Sequence, residues 1–170
     1  MAWIAKLMGL AIVLNIASCS CDKDNKDALK IKLTAKESQQ ITVASGSTSG
    51  TVDTELTVKL EEGAKELDLE KIKLKVEKTA AYRNDDASGA EDGDKDEVKL
   101  ESKGSDPNGQ SLKDLLGKDK LKKSDHDKVK IKVTLADIGK AASAKIKFAL
   151  EKDGKKIEGV EDVVVTYTTN

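Results

Sequence analysis

Residues Val129–Leu135 read VKIKVTL. Val129, Ile131, Val133 and Leu135 fall on one side of an extended chain, and Lys130, Lys132 and Thr134 on the other. A period of two with β-branched residues on the apolar side is the pattern of a strand with one face buried and one in water. The same alternation recurs in both directions along the chain. IKLKVEK places Ile72, Leu74 and Val76 together, TELTVKL does so for Leu56, Val58 and Leu60, and KIKFAL for Ile146, Phe148 and Leu150. LKIKLTAK puts Leu29, Ile31 and Leu33 on one face with Lys30 and Lys32 on the other, and EVKLESK, VVVTYTT and QQITVAS are shorter candidates. That makes about eight strands. One-sided strands argue for antiparallel sheets, and two such sheets bury each other's apolar faces when stacked. The expected fold is mainly β, an antiparallel immunoglobulin-like β-sandwich. It is read from strand number and spacing alone, because the Cys…Trp…Cys signature of antibody domains is missing.

The segments between the strings fit this reading. Gly46-Ser47-Thr48-Ser49-Gly50 reads as a turn between two strands, and Asp153-Gly154 as a hairpin between KIKFALEK and the last strand. Ser111–Lys123 breaks the alternation. Its leucines, Leu112, Leu115, Leu116 and Leu121, have helix-compatible spacing; Ser111 can cap its start, Lys122 and Lys123 favour its end, and Gly117 weakens it. A short helix crossing between the sheets is expected there. Asn84–Glu97, NDDASGAEDGDKDE, has no apolar residue larger than alanine and reads as a long, exposed acidic loop. The recurring lysine-rich strings have irregular spacing and are not a tandem repeat.

Charged residues make up 36% of the 170-residue chain, with 30 Lys+Arg against 31 Asp+Glu. That balance gives no net basic footprint, so nucleic acid is not an expected partner. Trp3, Tyr82, Phe148 and Tyr167 are the only aromatic residues, so the core must be built from Val, Ile, Leu and Ala and is expected to be thin.

The first eighteen residues, MAWIAKLMGLAIVLNIAS, combine a positive charge at Lys6, an apolar run from Leu7 to Ile16 and small residues at Ala17 and Ser18. This is the secretory signal pattern, and the run is too short to span a bilayer. Ile16-Ala17-Ser18-Cys19 resembles the lipobox of bacterial lipoproteins: a branched apolar residue, two small residues, then the cysteine that takes the lipid. The resemblance covers residues 1–19 and implies a diacylglyceryl thioether on Cys19, cleavage before it, and acylation of the new N-terminus. Cleavage before Cys21 would instead put Ser18 at the apolar position, a poor match. A Cys19–Cys21 disulfide would be strained and close almost no loop. Asp22 to Asp27 are charged or polar throughout and read as a solvated tether. The expected organisation is a signal peptide at 1–18, the lipidated cysteine and tether at 19–27, and the β-sandwich domain at 28–170.

Catalytic signatures are sparse. The single histidine, His126, lies in the charged stretch KKSDHDKVK, where a surface position is expected, and neither Gly-rich phosphate-loop pattern occurs. Asp92, Asp94 and Asp96 alternate as in the first half of an EF-hand calcium loop. The sixth position, however, is Glu97 where that loop needs glycine, and the twelfth is Lys103 where it needs glutamate. Asp85, Asp86 and Glu91 could contribute only to a looser site. No catalytic residue, cofactor or metal is therefore expected beyond the covalent lipid. The expectation is an exported, non-enzymatic binding or structural module, held in a lipid bilayer by its acyl anchor at the outer membrane or cell surface and meeting a protein or glycan partner. The alternatives are an ion- or solute-binding lipoprotein using residues 84–97, and a hydrolase built on a carboxylate pair.

Overall fold

A computed structural model describes residues 31–61, 66–83, 98–122, 125–136 and 142–169, with the backbone alone at 80–83 and 142. Cys19 and Cys21, the leader, the tether and the acidic segment 84–97, with Asp85, Asp86, Glu91, Asp92, Asp94 and Asp96, lie outside the described residues. The elements are β1 (Ile31–Thr34), β2 (Ser38–Ile41), β3 (Gly50–Leu60), β4 (Leu67–Asp68), β5 (Ile72–Arg83), β6 (Val98–Glu101), α1 (Leu112–Leu116), β7 (Lys120–Leu121), β8 (His126–Leu135), β9 (Ala142–Lys152), β10 (Lys155–Lys156) and β11 (Val163–Thr169). Each of the eight alternating strings falls on one of the eight longer strands. In β8 the apolar set Val129, Ile131, Val133 and Leu135 is buried, while Lys128, Lys130 and Lys132 are exposed.

The strands form two main sheets. One has the order β1-β3-β8-β6; in the other, β9 lies between β5 and β11, and β11 is followed by β2. In chain order these are strands A, B, E and D of one immunoglobulin-type sheet and C, F and G of the other. One pairing departs from the antiparallel expectation. β2 runs parallel to β11, with Ser38 opposite Thr166 and Ile41 opposite Thr169. The first strand region is split: β1 pairs with β3, and after three residues the chain has crossed to pair with β11. Because it leaves the first sheet at Thr34, β2 starts at Ser38 and ends at Ile41, earlier than the QQITVAS string alone implies.

The two inner faces meet in one core. Leu56, Val58, Ile131 and Val133 come from one sheet; Leu74, Ile146, Phe148 and Val165 come from the other, and all are buried. The chain's two cysteines lie at 19 and 21, so no disulfide can join β3 to β9. A buried polar contact links the sheets instead: Thr54 Oγ1 on β3 and Tyr167 Oη on β11 are 2.8 Å apart. Burial pushes the Tyr167 hydroxyl up to about 12, against the opposite pull of the Thr54 hydrogen bond.

Local chemistry explains the connections. Asp153 and Gly154 both have positive φ, and Lys155 pairs with Lys152 across them, which is the two-residue hairpin geometry such pairs favour. The hairpin returns onto the short β10 rather than directly onto the last strand. The Ser111 hydroxyl accepts the Asp114 N–H at 3.1 Å and starts α1. Gly117, at φ 74°, ends the helix by donating its N–H to the Lys113 carbonyl. The helix is therefore one turn long and stops before Lys122, and Leu121 pairs in a strand with Leu67 instead. α1 still bridges the sheets, touching β5 and β8. Gly50 sits against the β2 end, where an added Cβ would collide with Ile41 Cγ2 and lie 2.9 Å from the Thr42 carbonyl. The outer edge of β5 is covered by the segment before α1. Leu74 exchanges hydrogen bonds with Gln110 and Gly109, and the Val76 N–H donates to Asn108 Oδ1.

Candidate interaction face

The outward faces of the two sheets both oppose unlike charges in register, but they differ at one end. On the outer face of the β5–β9–β11 sheet, register interleaves opposite signs: Lys73 faces Glu151, and Glu77 faces Lys147. Lys75 Nζ reaches Glu151 at 3.1 Å and Glu77 at 3.4 Å, and Lys147 pairs with the other Glu77 oxygen. These contacts raise the Lys75 pKa, first through the Glu151 hydrogen bond and then through Glu77. They hold the Glu77 carboxyl below the usual carboxylate range, first through Lys147 and then through Lys75.

The outer face of the β1–β3–β8 sheet starts differently. Lys32 on β1 lies directly opposite Lys59 on β3, and Lys59 lies directly opposite His126 on β8. All three side chains are exposed. None makes an ion pair with a described residue. The neighbouring Lys128 pairs with Glu55 at 2.6 Å, and Glu61 is exposed just past the end of β3. The histidine expected at the surface is thus at the surface, in a row of basic side chains. Only register brings this row together. Each residue alone reads as the solvated side of its own strand, and no sequence signal links positions so far apart.

Other charges near this end of the sandwich are paired. Lys118 Nζ meets Asp125 at 3.2 Å and also contacts Asp127, and Lys113 Nζ meets Asp119 at 2.9 Å. Burial pulls the Lys118 pKa down, but its two carboxylates outweigh that and raise it. Asp125 is held low, first by the Lys122 backbone N–H and then by Lys118. Among the described residues, no three His, Cys, Asp or Glu side chains come together to hold a metal ion. Among the same residues, no helix is long and apolar enough to cross a membrane.

No family model matches the chain, and no curated protein does. Among solved structures it is similar to an ASH / PapD-like domain of human CEP192, PapD-like domain 7. The identity is 12% and the TM-score 0.48, over 97% of this chain and 96% of that one. It is also similar to part of a family 123 glycoside hydrolase from Clostridium perfringens, at 8% identity and TM-score 0.46, over 82% of this chain and 27% of that one. A third likeness is to the secreted serine protease VesC from Vibrio cholerae, at 12% identity and TM-score 0.38, over 87% of this chain and 25% of that one. With these three TM-scores below 0.5, the immunoglobulin-like assignment rests on the strand order itself.

Proposed function

We propose that this chain is a lipid-anchored bacterial lipoprotein whose sandwich serves as a non-enzymatic binding or structural module at the cell envelope, at the outer membrane or cell surface. The observation that carries this reading is the leader ending in Ile16-Ala17-Ser18-Cys19, followed by a polar tether and then one sandwich. The physics of the anchor is simple. Each acyl methylene buried in the bilayer contributes about 0.8 kcal/mol, and two or more chains hold a protein stably where one does not. The polar residues from Asp22 to Asp27 have nothing to bury, which suits them to solvent between lipid and domain. A two-sheet frame suits a module that presents faces and edges, an argument by analogy of fold.

Metabolic labelling with palmitate tests the reading. The wild-type chain should take up label and run as a shortened, membrane-bound form, and Cys19→Ser should lose both properties. Equal labelling of Cys19→Ser would place the lipid elsewhere, with Cys21 the first residue to examine.

A further inference from the structure

The directly opposed Lys32–Lys59 pair, with His126 on the far side of Lys59, is an arrangement that folding alone disfavours. Like charges directly opposite one another across a strand pair destabilise it, whereas Glu55 faces Lys130 further along the same sheet and Glu77 faces Lys147 on the other. The row also lies where β1 begins, since Ile31 precedes Lys32 by one residue. Cys19 is twelve residues from Ile31, a span of roughly 40 Å at full extension and about 20 Å as a flexible coil. A membrane tethered at Cys19 is therefore within reach of this end of the sandwich.

Charge is also unevenly distributed along the sequence. The acidic segment 84–97 carries seven acidic residues against Lys95, a net of −6. From Cys19 onward the chain has 29 basic and 31 acidic residues, so the remainder outside that segment is 28 against 24, a net of +4. The segment is attached through Arg83 and Val98. Val98 lies opposite Leu135 at the far end of β8, and Arg83 lies opposite Ala142 at the start of β9. Leu135 and His126 are at opposite ends of β8, roughly 30 Å apart. The attachment points of the acidic segment are thus at one end, and the basic row with the chain's entry point is at the other.

We infer that the Lys32–Lys59–His126 end of the sandwich rests on the anionic headgroups of the bilayer that holds the lipid anchor, with the attachment points of residues 84–97 turned away from it. This rests on the anchor reading proposed above. Anionic lipid attracts lysines held within a Debye length of its surface, and this attraction orients the domain with its Lys32–Lys59 end toward the bilayer.

The test is amine-reactive labelling of the full chain on vesicles, read by peptide mass spectrometry. One set is phosphatidylcholine alone and the other contains about a third phosphatidylglycerol, each at about 0.1 M and about 1 M salt. On the anionic vesicles at low salt, Lys32 and Lys59 should label several-fold more slowly than on the neutral ones, and high salt should remove the difference. Lys99, near the far end, should label equally in both. Lys59→Glu should abolish the protection of Lys32 without lowering the melting temperature, an outcome that a purely structural role for Lys59 does not give. Equal labelling of Lys32 and Lys59 on both vesicle types overturns the inference, as does equal protection of Lys99 or undiminished protection of Lys32 in Lys59→Glu. Protection by a soluble anionic glycan and not by anionic vesicles overturns it in favour of a glycan site. The mass of the N-terminal peptide reports separately on Cys19. An unlipidated Cys19 defeats the anchor reading, while the labelling pattern still decides the face.

Discussion

The outward faces of the two sheets differ at one end; elsewhere both oppose unlike charges, with Glu55 facing Lys130 and Asp53 facing Lys132 on the β3–β8 face. On one, Lys75, Glu77, Lys147 and Glu151 alternate in sign and pair. On the other, Lys32, Lys59 and His126 line up without an acid among them. Both faces come from strands with the same lysine-rich alternation, so composition does not separate them. The difference lies in register. The first arrangement makes sense within the fold itself, as exposed pairs of opposite sign. The second gains no such pairing from the described residues, and the bilayer proposed above would supply it.

The comparison requires both faces to stand on one cooperative core, and the largest expected effect tests that. Phe148 is fully buried on β9, opposite Val76 on one side and Val163 on the other. Phe148→Ala should lower stability by roughly 3–5 kcal/mol. Hydrogen exchange should then accelerate together in β3 and β9. Acceleration confined to β9 and its neighbours would mean that the two sheets open separately.

The next effect probes the link between the sheets. Tyr167→Phe removes the nearer partner of buried Thr54, leaving it Gln39 Oε1 at 3.4 Å, and should cost about 1–2 kcal/mol at neutral pH. The folded Tyr167 pKa is raised to about 12, above the ordinary tyrosine value near 10. Wild type is thus unaffected below pH about 10 and loses roughly 2–3 kcal/mol as pH rises toward about 12, because the unfolded chain ionises first, whereas Tyr167→Phe has no such loss. Urea melts of wild type and Tyr167→Phe across that window should show the gap between them closing and then reversing. A gap that stays constant would show that the hydroxyl is not held neutral by burial.

How much of this was legible in the sequence follows the same division. Strand phase was legible wherever alternation was strong, because a period of two allows only one face to enter the core: the apolar sets of β3, β5, β8 and β9 all point inward. The Asp153-Gly154 turn and the Ser111 cap were legible because each is decided by local backbone chemistry. The parallel β2–β11 pair was not, since it depends on the chain crossing between sheets after Thr34. The helix end was misread because Leu121 fits a helical spacing while Gly117 already ends the turn. The basic row was hidden for the same reason as the parallel pair. Lys32, Lys59 and His126 become neighbours only once register is set. Cys19 is the reverse case: its motif is local and readable, and it lies outside the described residues.

The smallest effect bears most directly on the difference between the faces. Lys59→Glu places an acid between Lys32 and His126, and Lys75→Glu places a third acid beside Glu77 and Glu151. Each should shift the denaturant midpoint slightly, in opposite directions. Denaturant midpoints of the two variants beside wild type are the measurement. The account predicts that Lys59→Glu rises and Lys75→Glu falls. Two falling midpoints would contradict it, showing that the lysine row stabilises the fold and needs no outside partner to explain it.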